Sequence, residues 1–159
     1  EKEAEGEASK GVLSSVPSGL PPLTKAYRLH AKAAGAGFTW DDDEEVERQV
    51  EAEWLELLDA RASGSDAAKE HELGDMIFTL VELGRRMGVK AGSAVDFAAN
   101  RFRTRFEAME KLARERGLDF KALSLDEKDE LWNEVKAAEP REEQGPAVDF
   151  AAPKENPEA

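Results

Sequence analysis

Cysteine is absent from the 159-residue chain. That removes disulfides, thiolate nucleophiles and thiolate-bound zinc, and it fits a reducing, cytoplasmic location. Histidine occurs twice, as His30 and His71, too seldom for a His-rich metal centre. Basic residues are in deficit, with 22 Lys and Arg against 35 Asp and Glu and a net charge of −13. A nucleic-acid duplex as principal partner demands the opposite sign. A small phosphate ligand stays compatible, because a bound divalent ion reverses the local charge. No apolar run nears the ~20 residues that cross a bilayer, and no signal-peptide segment is visible, so no membrane partner is expected. The chain opens at Glu1, and a preceding segment is expected to be missing. What is present, 40% apolar and 36% charged residues, suits a folded domain rather than a disordered chain. The length fits one domain. Any catalysis must rest on carboxylates.

Proline is also missing where it matters. None lies between Thr24 and Glu139, whereas four of the seven prolines fall between Pro140 and Ala159. Residues 1–19, rich in Glu, Ser and Gly, read as a tail or linker, and 140–159 as a disordered tail, leaving 20–139 as the folded domain. Apolar residues three and four apart without strand alternation predict an all-α fold, a compact bundle of four to five helices. The first helix spans about Leu20 to Ala34 and stops at Gly35 and Gly37. The second starts near Asp41–Asp43, where acids favour a helix N-terminus, and carries Val46, Val50, Trp54, Leu57 and Leu58. Ser65 or Asp66 begins a third, with Leu73, Met76, Ile77, Leu80, Val81 and Leu83 as its stripe. A fourth runs from about Ala91 to Arg116, closed by Gly117. The last, from Ser124 or Asp126 to Ala138, contains Leu131, Trp132 and Val135.

Two acid pairs stand out. Glu53 and Glu56 are three apart on the second helix, and Glu72 and Asp75 three apart on the third, so each pair shares a face with Cβ atoms roughly 5–6 Å apart. Antiparallel packing, which the short connection favours, lets the pairs face each other. Four carboxylates around one point make a hard-oxygen site suited to Mg²⁺ or Mn²⁺. A solvated acidic face is the competing reading in so acidic a chain. The fourth helix reverses the charge balance. From Arg101 to Arg116 there are six basic residues against three acidic ones, and Arg101 and Arg105, four apart, can either grip phosphate oxygens or pair with nearby acids. Trp132 and Lys136 repeat the spacing on the last helix, as a base platform with an ammonium or as core with a solvated Lys.

The ordered set Gly37-Phe38-Thr39-Trp40, Glu53-x-x-Glu56, Glu72-Leu73-Gly74-Asp75, Arg101-Phe102-x-x-Arg105-Phe106 and Leu131-Trp132-x-x-Val135-Lys136 resembles the MazG family of all-α nucleoside triphosphate pyrophosphohydrolases. The resemblance covers about residues 16–139 and is closest to the C-terminal half of tandem-domain members, which would make 1–19 part of a connector. It implies that Glu53, Glu56, Glu72 and Asp75 are the Mg²⁺ ligands and that Arg101, Arg105, Trp132 and Lys136 contact the nucleotide. Ala52 stands where the family pattern has its first Glu. Arg101 replaces the customary Lys, and Ala99 occupies the position of a family Asn.

The implied reaction converts a nucleoside triphosphate to its monophosphate and pyrophosphate, with Mg²⁺ or Mn²⁺ as cofactor and Glu53 or Glu56 as general base. Stacking on Trp132 tolerates different bases, so broad specificity and nucleotide-pool house-cleaning are expected. Within the same superfamily, a dUTPase or phosphoribosyl-ATP pyrophosphohydrolase shares this chemistry. A non-catalytic helical dimerisation or regulatory module is the alternative from another class, favoured by Ala52. A homodimer is expected, with Trp54, Phe97, Phe102 and Phe106 as surface buried against the second copy.

Overall fold

Short polar side chains set the helix starts in this computed structural model, which describes residues 11–140. Asp42 accepts a hydrogen bond from the Glu45 amide (2.8 Å), Ser65 accepts from the Ala68 amide (3.3 Å), and Ser124 and Glu127 form a reciprocal capping box. Each supplies an acceptor to an amide that has no partner within the first helical turn. The resulting elements are a one-turn 3-10 helix at Val12–Ser15 and five α-helices: α1 (Pro22–Gly35), α2 (Asp43–Ser63), α3 (Asp66–Arg86), α4 (Ala91–Glu115) and α5 (Leu125–Ala138). The described residues contain no strand, and the all-α class expected from the sequence holds. The expected tails at 1–10 and 141–159 lie outside the described residues.

The chain divides into two compact units, one ending at Asp96 and the other starting at Phe97. In the first, α3 packs against both α1 and α2. Gly64, in the left-handed region at φ 75°, ends α2 and turns the chain into α3. No Cβ obstructs that conformation in glycine. The two helices run antiparallel: Arg86, ending α3, donates from Nε to Asp43 at the start of α2, and from Nη1 to the Trp40 carbonyl (3.1 Å). Val46, Ala60 and Val81 are buried here. In the second unit, Met109 and Ala113 of α4 and Leu131 of α5 form the core, flanked by Leu112, Phe120, Leu123, Trp132 and Val135.

The apolar stripe of α3 splits between two environments. Val81 is buried, but Leu73, Ile77 and Leu80 are 48%, 42% and 41% exposed. Their spacing of four and three residues places them in one row on the helix. Trp54, expected inside the stripe of α2, is also about half exposed. Helical periodicity marks apolar faces without saying which one the same chain covers.

A buried polar network ties the first unit together. Glu82 is 1% exposed and accepts from Arg85 Nε (2.7 Å), Arg85 Nη2 (2.9 Å) and the Thr39 hydroxyl (3.3 Å). His30, also buried, donates from Nε2 to the Phe78 carbonyl (2.9 Å) and holds Nδ1 3.6 Å from Glu82. Burial pushes the Glu82 carboxyl upward, but hydrogen bonding and charge from Arg85, with His30 and Thr39, outweigh it and hold Glu82 below its ordinary 4.5. Burial dominates at His30 and lowers it below 6.5.

Both depressed values mean that the unfolded chain binds more protons than the folded one in the corresponding ranges. Stability is therefore expected to be full above pH 6.5, to fall as pH drops from there through the folded value of His30, and to fall again below 4.5 through that of Glu82. Thermal melts across this range test the profile. Glu82→Gln should shrink the lower fall, and Glu82→Ala should cost ~3 kcal/mol by leaving Arg85 and Thr39 without their acceptor.

Candidate functional site

The α2–α3 hairpin brings carboxylates from both helices together. Oxygens of Glu53, Glu56 and Glu72 lie within 4.8 Å of one another. Glu53 is only 8% exposed. Its Oε1 accepts from the Gln49 side-chain amide (2.7 Å), whereas its Oε2 is buried with no hydrogen-bond partner. Asp75, the fourth acid of the expected set, lies in a second group with Glu72 and His71, also within 4.8 Å. His71 Nε2 is 3.1 Å from Asp75 Oδ2 and His71 Nδ1 3.6 Å from Glu72 Oε1. Among the described residues, no Lys or Arg forms an ion pair with any of these four carboxylates. A buried acceptor without a donor is costly, and clustered like charges add repulsion. The donor set, hard oxygens at mutual spacings a small divalent ion can bridge, fits Mg²⁺ or Mn²⁺.

A cavity of about 530 Å³ lies elsewhere in the first unit, lined by Leu13, Leu29, His30, Ala33, Phe38, Thr39, Trp40 and Phe78. The Phe38 and Trp40 of the sequence motif thus wall an apolar recess.

The second unit holds the expected nucleotide-contacting residues. Arg105 makes a two-pronged pair with Glu139, Nε to Oε1 and Nη2 to Oε2, both 2.7 Å. This contact raises the Arg105 value and holds the Glu139 carboxyl low despite its burial. The Arg105 guanidinium also stacks 5.6 Å from the Trp132 ring centroid, and Phe102 meets Trp132 at 5.6 Å. Arg101 lies over Phe97, 5.6 Å from its centroid. Lys136 follows Trp132 by one turn of α5.

No family model matches the chain. It is 34% identical over 135 residues to the nucleoside triphosphate pyrophosphohydrolase of Escherichia coli K12, a match covering 84% of this chain and 51% of that protein. Against the nucleoside triphosphate pyrophosphohydrolase/pyrophosphatase MazG of Thermotoga maritima it is 34% identical over 120 residues, 76% of this chain and 46% of the relative. The uncharacterized protein YabN of Bacillus subtilis matches at 37% over 145 residues, 88% of this chain and 29% of its own length. Over most of its length the chain is similar to MazG proteins. It spans about half the length of the first two of these relatives.

In this MazG-like chain, helical spacing was enough to single out the carboxylates, since i,i+3 pairs share a face whatever surrounds them. It did not reveal His71, one residue before Glu72 and four before Asp75. Those spacings were the available signal. Nor did it reveal the Glu82–Arg85–His30 network, in which His30 of α1 meets an i,i+3 pair of α3. Trp132 is partly buried on the α4–α5 core and also touches Arg105. Trp132→Ala is therefore expected to destabilise the fold, by ~1–3 kcal/mol given incomplete burial. Glu139→Gln, which removes charge but keeps shape, should cost ~1–3 kcal/mol, because the two-pronged pair is largely buried. Denaturant unfolding of both variants measures these costs.

Proposed function

We propose that this chain is a Mg²⁺-dependent nucleoside triphosphate pyrophosphohydrolase of broad base specificity, acting in the cytoplasm on the nucleotide pool. The observation that carries the reading is the convergence of Glu53, Glu56 and Glu72, in which Glu53 is buried with one oxygen that has no hydrogen-bond partner. The Escherichia coli and Thermotoga maritima relatives, named as nucleoside triphosphate pyrophosphohydrolases, support the same activity.

Glu53, Glu56, Glu72 and Asp75 are the proposed Mg²⁺ ligands. Bound there, the ion supplies Lewis acidity and a template for phosphate oxygens. The protein's own groups do the rest. Glu56, exposed where Glu53 is buried, is the better placed of the two to take the proton from an attacking water. The water oxygen bonds to the α-phosphorus, the bond to the bridging oxygen breaks, and pyrophosphate leaves with the electron pair. Arg101, Arg105 and Lys136 are assigned to phosphate oxygens and Trp132 to the base. For Arg105 this role requires exchanging the Glu139 carboxylate for phosphate, a swap between two planar oxygen acceptors of like charge.

The active form is proposed to be a homodimer. Leu73, Ile77 and Leu80 form an exposed apolar row on α3, and Trp54, Phe97, Phe102 and Phe106 are also exposed. Such apolar surface is usually covered in the working assembly, and a two-fold pairing is the commonest cover. Sedimentation equilibrium at micromolar concentration should return twice the chain mass, and Ile77→Glu should return one.

Asp75→Asn is expected to abolish metal-dependent pyrophosphate release while the helical circular dichroism stays unchanged. Unaltered release would remove the carboxylate site from consideration. Arg105→Ala should lower kcat/KM for all nucleotides alike, by roughly 10- to 150-fold for a lost charged hydrogen bond of ~1.5–3 kcal/mol. A nucleotide panel with pyrophosphate detection reads both, and no release from any nucleotide would favour the non-catalytic module.

A further inference from the structure

Glu53 is held by a neutral donor. Gln49, one turn earlier on α2, gives its side-chain amide to Oε1 at 2.7 Å, while Oε2 is buried with no hydrogen-bond partner. We propose that Gln49 is a positioning residue for the metal centre, tying down Oε1 of Glu53 so that Oε2 is the atom presented to the divalent ion. The inference rests on the metal reading above. It adds a residue that none of the sequence motifs contains, and it chooses between the two oxygens of the ligand.

The unequal treatment of the two oxygens carries the argument. The terminal torsion of a glutamate is broad and roughly two-fold, so a free carboxylate exchanges its oxygens easily. A hydrogen bond to one oxygen from the same helix removes that freedom and fixes the other. An i,i+4 Gln–Glu bond on a helix surface stabilises the helix slightly and accounts for the 2.7 Å contact alone. It does not account for a carboxylate withdrawn from water with one oxygen unmet, which is a costly arrangement. Oxygens of Glu56 and Glu72 lie within 4.8 Å of a Glu53 oxygen, and like charges supply no donor. A cation is the partner that serves all three.

The chemistry of the donor matters as much as its position. Glu82, in the same unit, takes its hydrogen bonds chiefly from the Arg85 guanidinium, which offsets its charge inside the fold. Glu53 takes one from an amide, which orients the carboxylate and leaves its negative charge intact. Among the described residues no Lys or Arg pairs with it. A fixed cation at residue 49 would repel an incoming dication, and an amide does not. Carboxylates that bind metal are commonly held in this way by groups that never touch the ion.

Mn²⁺ binding followed by the electron paramagnetic resonance of the free aqua ion tests this without reference to turnover. Gln49→Met keeps the side-chain length and removes the donor, and should weaken binding by about tenfold or more, the scale of losing a ligand's immediate support. Gln49→Ala, which favours the helix, should reproduce that loss with the helical circular dichroism unchanged. Glu53→Gln removes the ligand itself and should weaken binding further. The double variant Gln49→Met/Glu53→Gln should bind as Glu53→Gln does, because a residue that acts only through Glu53 then has nothing to position. Wild-type binding in the Gln49 variants, with Glu53→Gln weakened, would overturn the proposal and leave the metal reading standing. A loss from Gln49→Met as large in the Glu53→Gln background as in the wild type would overturn it too. Wild-type binding in Glu53→Gln would remove the Glu53 centre, and with it both the metal reading and this proposal.

Discussion

The antiparallel contact between α2 and α3 is the constraint on which the candidate site depends. Its geometry is held at both ends. At one, Gly64 takes a left-handed conformation that reverses the chain within two residues of α3. At the other, Arg86 ties the end of α3 to Asp43 and to the Trp40 carbonyl. Between these ends the register is set, and Glu53 and Glu56 meet Glu72 because of it. A shift of one residue on either helix rotates its side chains by about 100° and would separate the acids.

Two buried carboxylates in the same unit show how differently such groups can be treated. Glu82 has donors on both oxygens and a guanidinium beside it, and its carboxyl is held low in spite of its burial. That is the arrangement of a structural ion pair, in which desolvation is offset inside the fold. Glu53 has one oxygen satisfied by Gln49 and the other by nothing. A protein that satisfies Glu82 so fully has the means to satisfy Glu53, and the proposed metal site gives the unmet oxygen its partner.

The second unit follows another logic. Its aromatic and guanidinium groups are stacked and paired within the unit: Arg105 with Glu139 and Trp132, Trp132 with Phe102. Arg105 is therefore preorganised, its planar fork already aimed at oxygen acceptors, which reduces the entropy lost when an acceptor is exchanged. The same packing makes Trp132 a partial core residue, so its structural and nucleotide-contacting readings are not exclusive.

The sequence by itself determined the helical class, the helix bounds to within a few residues, and the pairing of acids three apart. These are local properties: caps, glycine stops and periodicity act over one or two turns, and the side chains named for them are neighbours along the chain. The MazG motifs were legible for the same reason, as short ordered clusters. Tertiary structure alone decided the rest. It set Glu53 and Glu56 of α2 against Glu72 of α3, enclosed Glu82 with His30 and Thr39, and left Leu73, Ile77 and Leu80 uncovered. Each of these depends on which faces of separate helices meet. Helical periodicity does not encode that choice, because burial is set by what the rest of the chain, or a second copy, places against each face.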